Sequence, residues 1–429
     1  MCLTNFMLKL KTMNTVEPYI AHFTKLWDYS PTHLPVFNRV YSKTEKQERE
    51  HYFEELQIKM ELLQKQSNLK KLRKSNPENT FFPVFKTFMQ NVFDFEEEQL
   101  KIILSEDFRN VSKDFFYQAR AFGPDLSPEN IYQALRNVWI MNGLQLMMHL
   151  PVEITPSVFA YSMIYPYSDN LLDDPLVTDT EKLEFSERFN RRLHGEKVMA
   201  ATFTESQLFK LVGMFEQQYN RDEFPDVYEG LYAIQKAQTD SMKLLKSGNL
   251  TAAQIQQICF EKGGASVLAD GFLVAGNLTR EQQQALFGYG IYLQMLDDIQ
   301  DANEDREATT NTMCSYIEGR KMDEFVNRTI HFGRVALDEL KCFEETDNNV
   351  FLSLMNRSIE TMAIESVGVN NSLFSVEYTN EIEKYSPLHF AFIRQKKSQS
   401  KSQRFSLFRK YFDQATPERI KSALAQQPV

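Results

Sequence analysis

The sequence predicts an all-α protein: a single large helical bundle with N- and C-terminal extensions. Three observations carry this. Breakers are scarce, since 15 glycines and 15 prolines in 429 residues come to about 7 %, against roughly 12 % in average usage. Apolar residues recur at helical spacing, and each periodic stretch is set off by a Pro, Gly or Asx signal. Alternating period-two runs, which a half-buried strand needs, are missing.

The first 45 residues carry Pro18, Pro31 and Pro35 among scattered aromatics and read as an irregular arm with one short helix. From Lys46 to about Lys74, strong helix formers with periodic apolar residues predict a long amphipathic helix. Beyond Pro77 and Pro83, helical segments are expected over 84–105, 107–121, 128–149, 156–174, 179–217 and 225–247, then 251–276, 279–305, 310–320, 322–342 and 347–371. Ser127-Pro128-Glu129 and Thr155-Pro156 each place an N-cap residue before a proline at the first helical position. The division expected is 1–79 as arm and long helix, 80–375 as the main domain and 376–429 as a basic aromatic extension. Between Ser386 and Phe412 there are seven Lys/Arg and no acid, interleaved with Phe390, Phe392, Phe405, Phe408 and Tyr411. That pattern fits a solvated basic face, or a surface for membrane headgroups or another anionic ligand.

Apolar residues make up 42 % of the chain and include 34 Phe and 18 Tyr, enough for a sizeable core. Mean hydropathy is -0.43, and no uninterrupted apolar stretch of about 18 residues predicts a spanning helix. With 48 Lys+Arg against 58 Asp+Glu, the net charge of -10 disfavours nucleic acid as a partner. Cys2, Cys259, Cys314 and Cys342 show no C-x-x-C spacing and suit a reduced compartment. The N-terminal residues lack a continuous apolar core of the kind a secretory leader carries, so a cytoplasmic location is expected.

Two aspartate clusters carry chemistry. In Tyr167 to Pro175, Asp169 and Asp173 fall one turn apart on one helix face, Asp174 follows, and Pro175 ends the helix. Three carboxylates at a helix C-terminus oppose the helix dipole and favour a bound cation. In Gln294 to Asp305, Asp297, Asp301 and Asp305 run at i, i+4 and i+8 beside Asp298, a stripe on one helix. Like charges at that spacing repel. Hard divalent cations with oxygen ligands offset the repulsion, and Mg2+ is usually held by a few carboxylates together with substrate phosphates. Two clusters about 125 residues apart suit facing helices of a bundle that converge on metal.

The two clusters resemble the paired aspartate-rich motifs of the class I isoprenoid (terpenoid) synthases, nearest the squalene/phytoene synthase-like and related terpene synthase branch. Gln294-x-x-Asp297-Asp298-x-x-Asp301 is similar to the second motif of chain-elongating members, and Asp169-x-x-x-Asp173 to the first motif of the squalene and phytoene synthase branch. Cys259 to Ser266 sits where phytoene synthases carry a Tyr-Cys-x-x-Val-Ala-Gly segment, with Lys262 in place of an apolar residue. Gly263-Gly264 within a helix implies a kink or a close backbone approach. The resemblance covers about residues 125–370.

The resemblance implies a bundle of the isoprenoid synthase type and an allylic prenyl diphosphate as substrate. It also implies Mg2+, three ions with Mn2+ as a substitute, held between Asp169/Asp173 and Asp297/Asp301 with Asp174, Asp298 and Asp305 nearby. Lys262, Arg221 and Arg306 are the candidates for the diphosphate, with Arg191 and Arg192 weighed beside them. Phe159, Tyr165, Gly263, Gly264, Phe272, Tyr292 and Gln294 are the candidate pocket residues, together with Tyr161. Cyclisation of the ionised substrate to a terpene is the expected reaction. Head-to-head condensation, chain elongation and a non-catalytic helical scaffold stay open as alternatives. Elongation is disfavoured because no N-terminal Gly-Lys segment is found and Arg191-Arg192 follows Asp173 at a longer interval than elongating members use. The basic tail offers peripheral membrane contact, and the helix at 46–74 offers a homodimer surface or a cap on the bundle.

Overall fold

Helix after helix begins at a hydroxyl cap. Ser127 Oγ accepts from the Asn130 amide and Thr155 Oγ1 from the Val158 amide, each just ahead of a proline. Thr178, Thr202, Thr251 and Thr279 open later helices in the same way. Each such oxygen satisfies a backbone donor that has no partner inside its helix. The computed structural model describes residues 16–67, 78–174, 176–245, 250–315, 317–343 and 349–400. Among these the regular elements are helices, without a strand.

The arm holds α1 (Glu17–Tyr29), followed by the long α2 (Lys43–Ser67) and α3 (Glu78–Phe93). Then come α4 (Glu97–Ile103), α5 (Glu106–Phe122), α6 (Pro128–Met147), α7 (Pro156–Asp173), α8 (Asp179–Leu193), α9 (Phe203–Gln218) and α10 (Pro225–Ser241). The central pair is α11 (Ala252–Ala275) and α12 (Arg280–Gln300), continued by the short α13 (Ala302–Ala308). The chain closes with α14 (Arg320–Glu339), α15 (Asn349–Val369), α16 (Val376–Ile382) and α17 (Phe390–Ser400).

Helix α11 buries residues on every side, from Phe260 through Leu268 to Phe272, as expected of a helix at the centre of a large bundle. It packs along α12 and also against α10, α6 and α7, while α12 meets α14 and α15 on its other side. Helix α1 docks on this centre by burying Ile20, Phe23 and Trp27 at i, i+3 and i+7. Phe23 packs on Phe287 and Phe332, with ring centroids 6.4 and 5.9 Å apart. At the other end, Phe53 of α2 meets Phe88 of α3 and Phe392 of α17. The Glu50 carboxylate holds His389 by both its backbone and ring nitrogens. Much of the phenylalanine excess is therefore core.

Four segments differ from the expected ones, each for a local reason. The segment 84–105 divides at Asp94, which adopts φ 56°. The segment 179–217 divides into α8 and α9 across a loop where Gly195 takes φ 85°, a conformation that glycine adopts without steric cost. The segment 279–305 breaks at Asp301, whose φ of -98° and ψ of 7° end α12. No helix forms over 310–315 or 317–319, within the expected 310–320. There Ser315 Oγ accepts from the Thr312 amide and donates to the Thr310 carbonyl, so side-chain hydroxyls take over backbone groups a helix would need. Residues 68–74 of the expected long helix and 401–429 of the basic extension lie outside the described residues. No helix among the described residues is long and apolar enough to cross a membrane.

Candidate active site

The site depends on how closely α11 and α12 approach. A Cβ added at Gly263 would stand 2.5 Å from Gln294 Cβ and 2.6 Å from the Gly290 carbonyl oxygen, and Gly290 meets the Gly263 backbone in return. Two facing glycines let the helices cross at backbone contact. Gln294, Asp297 and Asp298 are thereby brought opposite Cys259 and Lys262, where they line one cavity of about 140 Å³.

Asp301 and Asp305 complete the acid wall of this cavity. Although α12 ends at Gln300, the amides of Asp301 and Asp305 bond the carbonyls of Asp297 and Asp301 at 2.9 and 2.8 Å. The i to i-4 pattern thus survives the break and keeps the carboxylates on one side. Thr310 and Thr312, from the loop after α13, and Gln238 and Ser241, from α10, face them. Asn311 ties that loop to the 3₁₀ turn Met242–Leu245 by donating twice to the Leu244 carbonyl.

Burial and repulsion between neighbours raise Asp298, Asp301 and Asp305. Asp298, fully buried, is pushed up to about 7, chiefly by burial and then by Asp297 and Asp305; an amide hydrogen bond from Gln294 and the charge of Lys262 oppose this. Burial, then Asp297 and Glu304, raise Asp301 to about 6 against Lys397 and Arg136. Asp305 is likewise raised to about 6 by burial, then by Asp301 and Asp297, against Lys262 and Thr312. Gln294 Nε2 donates to Asp298 Oδ1 at 2.8 Å, whereas Asp298 Oδ2 is buried without a partner. An orphaned carboxylate oxygen among oxygen donors is suited to a hard divalent cation. Among the described residues, no three acidic, histidine or cysteine side chains stand close enough to cage such an ion by themselves.

Next to the acid cavity lies an apolar slot. Leu172 and Gln238 line both spaces, so the two share a boundary. The slot has a volume of about 40 Å³ and runs between α7, α8 and α10, walled by Tyr161, Tyr165, Phe185, Phe189, Leu193 and Leu231. Tyr165 Oη lies 2.7 Å from Ser266 Oγ, and Tyr161 Oη donates to the Ser266 carbonyl at 3.3 Å.

The structure gathers some of the candidates and disperses others. Lys262, Gln294, Asp297, Asp298, Asp301 and Asp305 face one cavity, and Tyr161 and Tyr165 face the slot. Asp169 and Asp173 stand on the last turn of α7, flanking Leu172, and their side chains lie outside the described residues. Asp174 does not line the cavity; its Oδ1 accepts from the Leu176 amide. Arg221 is held elsewhere, bonded to Glu216 at 2.8 Å and lying over the Tyr228 ring. Arg192 grips the same Glu216, and Arg191 pairs with Glu196. Arg306 points to the Ile317 carbonyl and Glu318. Gly263 and Gly264 serve the helix crossing, the second against the Phe287 ring. Phe159 packs on Phe115 and Phe122, Phe272 lies against Gly230, and Tyr292 fills the space over Gly333, so all three are core.

Sequence reasoning missed the walls supplied by α8 and α10. Phe185 and Phe189, at i and i+4, were visible as an aromatic pair; Gln238, Thr310 and Thr312 gave no signal. Arg136 and Lys397, whose charges reach Asp301, come from α6 and α17.

No protein-family model and no curated protein matches this chain. Among solved structures, it is similar to a geranyltransferase from Legionella pneumophila, with a TM-score of 0.36 and 13 % identity over 63 % of this chain and 99 % of that one. A likeness at that level carries no argument about this chain.

Proposed function

We propose that the protein ionises an allylic prenyl diphosphate with Mg2+ and guides the resulting carbocation to a cyclic terpene. The observation that carries this reading is the shared boundary at Leu172 and Gln238, where a carboxylate-lined cavity opens beside an aromatic slot. A diphosphate with a hydrocarbon tail has that division of polarity. Asp298 with its neighbours Asp297, Asp301 and Asp305, and Asp169 and Asp173 of the other motif, would share the metal with the oxygens of the diphosphate rather than cage it by themselves. Mg2+, when bound, stabilises the negative charge that gathers on the departing pyrophosphate.

The chain's own residues do the rest. Lys262, already close enough to lower the carboxyls of Asp298 and Asp305, is placed to meet diphosphate oxygens. Gln294 fixes the orientation of Asp298 through its amide. Leu172 and the slot walls keep water from the cation, and the faces of Tyr161, Tyr165 and Phe189 offer π-electron density to it.

The test is incubation with Mg2+ and geranyl, farnesyl or geranylgeranyl diphosphate. Release of pyrophosphate with a cyclic hydrocarbon or terpene alcohol from one substrate is expected, and Asp297→Ala or Asp173→Ala should abolish it. A longer diphosphate formed only with isopentenyl diphosphate would assign prenyl transfer instead. Absence of turnover together with absence of a Mg2+-dependent thermal shift would leave a helical scaffold.

A further inference from the structure

One wall of the slot is polar. Tyr161, Tyr165, Ser168 and Leu172 follow at i, i+4, i+7 and i+11 on α7, a single stripe, and all four line the slot. The α8 wall, by contrast, is made of Phe185, Phe189 and Leu193. A slot for hydrocarbon alone has no use for a row of hydroxyls.

The hydroxyls are held in place. Tyr165 Oη lies 2.7 Å from Ser266 Oγ of α11 and 3.5 Å from Tyr161 Oη. Tyr161 Oη donates to the Ser266 carbonyl at 3.3 Å, and Ser168 Oγ donates to the Ile164 carbonyl at 3.0 Å. A hydroxyl that has given its proton to a carbonyl meets any further partner as an acceptor. A hydrocarbon has no polar hydrogen to offer such an oxygen, whereas water does. Burial holds Tyr161 well above the usual phenol range, so it stays neutral and orients a partner rather than taking its proton.

Their depth suits the reacting carbons. Ser168 and Tyr165 stand four and seven residues before Leu172 on α7, roughly 6 and 10 Å along the helix. Ser266 lies one turn beyond Lys262, which lines the acid cavity. One isoprene unit adds four chain bonds of about 1.5 Å, or roughly 4–5 Å when extended. With the diphosphate in the acid cavity, the hydroxyls therefore lie level with the second unit, near the branched carbons that carry a tertiary cation.

There is room for a water as well. The slot's volume of about 40 Å³ exceeds the roughly 10–15 Å³ that one water requires. Phe185 and Phe189 are held by packing, while the stripe is hydrogen-bonded to α11, so an entering tail parts the α8 wall and leaves the stripe in place. Bulk water is shut out at Leu172, and only a water bound to the stripe beforehand meets the cation.

We propose that the stripe of Tyr161, Tyr165 and Ser168, with Ser266 behind it, binds one water beside the cation and directs the reaction to a terpene alcohol whose oxygen comes from water. This rests on the prenyl diphosphate reading above, and the four are positioning residues. A lone pair of the water oxygen forms the new C–O bond at the cationic carbon. One O–H bond of the resulting oxonium then breaks, its electrons stay on oxygen, and the proton passes to the released pyrophosphate. Diphosphate ester and water thus give alcohol and hydrogen pyrophosphate, and nothing is oxidised or reduced.

The test supplies farnesyl diphosphate and Mg2+ in oxygen-18 water and identifies the products by gas chromatography with mass spectrometry. The wild type should release chiefly an alcohol that carries the label. The ratio of alcohol to hydrocarbon should fall by about tenfold in the double variant Tyr161→Phe/Tyr165→Phe, which keeps both rings and loses both hydroxyls. A wild type that yields only hydrocarbon, or an equal loss of both products in the variant, sinks the water site and keeps the reaction. Absence of pyrophosphate release, or an unlabelled primary alcohol formed by P–O cleavage, sinks the reaction, and water capture falls with it. Should the double variant fail to fold, Ser266→Ala and Ser168→Ala, read in the same way, decide.

Thermal shifts with nerolidol against farnesene need neither metal nor turnover. The tertiary alcohol should stabilise the wild type more than the hydrocarbon does, and the double variant should lose that preference. Equal shifts in the wild type overturn the stripe even where the reaction holds.

Discussion

Gln294 donates its side-chain amide to one oxygen of Asp298, and the other oxygen of that carboxyl is left alone in the wall of an acid cavity. The amide fixes the carboxyl plane and leaves the free oxygen for a ligand. Gln294→Leu removes this support. The concentration of Mg2+ needed for half-maximal pyrophosphate release is expected to rise about tenfold, the usual cost of losing such an outer contact. A titration with unchanged midpoint would show that Gln294 has no part in metal binding.

Protons and metal should compete at the site. The carboxyls of Asp298, Asp301 and Asp305 sit at about 7, 6 and 6, above their ordinary range, so the folded state holds these protons more tightly than the unfolded chain. Their contribution to stability is full at acid pH and is lost as pH rises through that window. Without Mg2+, the melting temperature should therefore fall between pH 5 and pH 8 by more than in Asp298→Asn (about one site's worth of linkage). Added Mg2+ should stabilise more at pH 8 than at pH 5, because it needs ionised ligands. Calorimetric melts at the two pH values, with and without the ion, decide this.

Gly263→Ala tests the helix crossing. The new methyl would meet Gln294 Cβ and the Gly290 carbonyl, neither of which can swing away. A loss of about 1–3 kcal/mol by urea unfolding is expected. Because the same crossing sets Gln294 and Asp298, turnover should fall in the fraction that stays folded.

Asp94 joins three distant parts of the chain. Arg39 and Arg49 each reach its Oδ1 at 2.7 Å, Tyr41 donates to Oδ2, and Arg357 of α15 stands 3.9 Å away. Asp94→Ala takes the shared carboxylate from three guanidinium groups, of which Arg49 and Arg357 keep only the Val92 and Phe93 carbonyls, and should cost about 2–4 kcal/mol. Asp94→Asn should cost less, since asparagine tolerates the left-handed backbone found there.

Lys397 gives the basic extension a measurable role. Its charge draws down the carboxyl of Asp301. Lys397→Glu should raise KM for a prenyl diphosphate several-fold at low salt and less at high salt, where the interaction is screened. An unchanged KM at low salt would return Lys397 to a solvated face.

How much of this was legible varied with the range of the interaction. Caps such as Ser127 and Thr155 were readable because their partners lie three residues away. The acid stripe from Asp297 to Asp305 was readable because helical spacing puts its members on one side. Arg221 and Arg306 were misplaced because a cation's position in sequence does not say which carboxylate or carbonyl it will meet. Tyr292 and Phe272 were misplaced for the same reason: they share helices with the site but face away from it. The division at Gly195 and the hydroxyl-bonded loop at 310–315 depend on local bonds that apolar periodicity does not reveal.

The acidic end of α12 has a further holder. Asn370, just past the end of α15, donates its amide to the carbonyls of Ile299 and Gln300 and accepts from Asn303. The carbonyls closing α12 are thus met by a neutral group, and the negative end of the helix keeps its charge. The same bonds give the carboxylates a mechanical address: a side chain about seventy residues downstream decides where they stand. Whatever moves Asn370 will pull on them too, so the acid wall and the end of α15 are tied together.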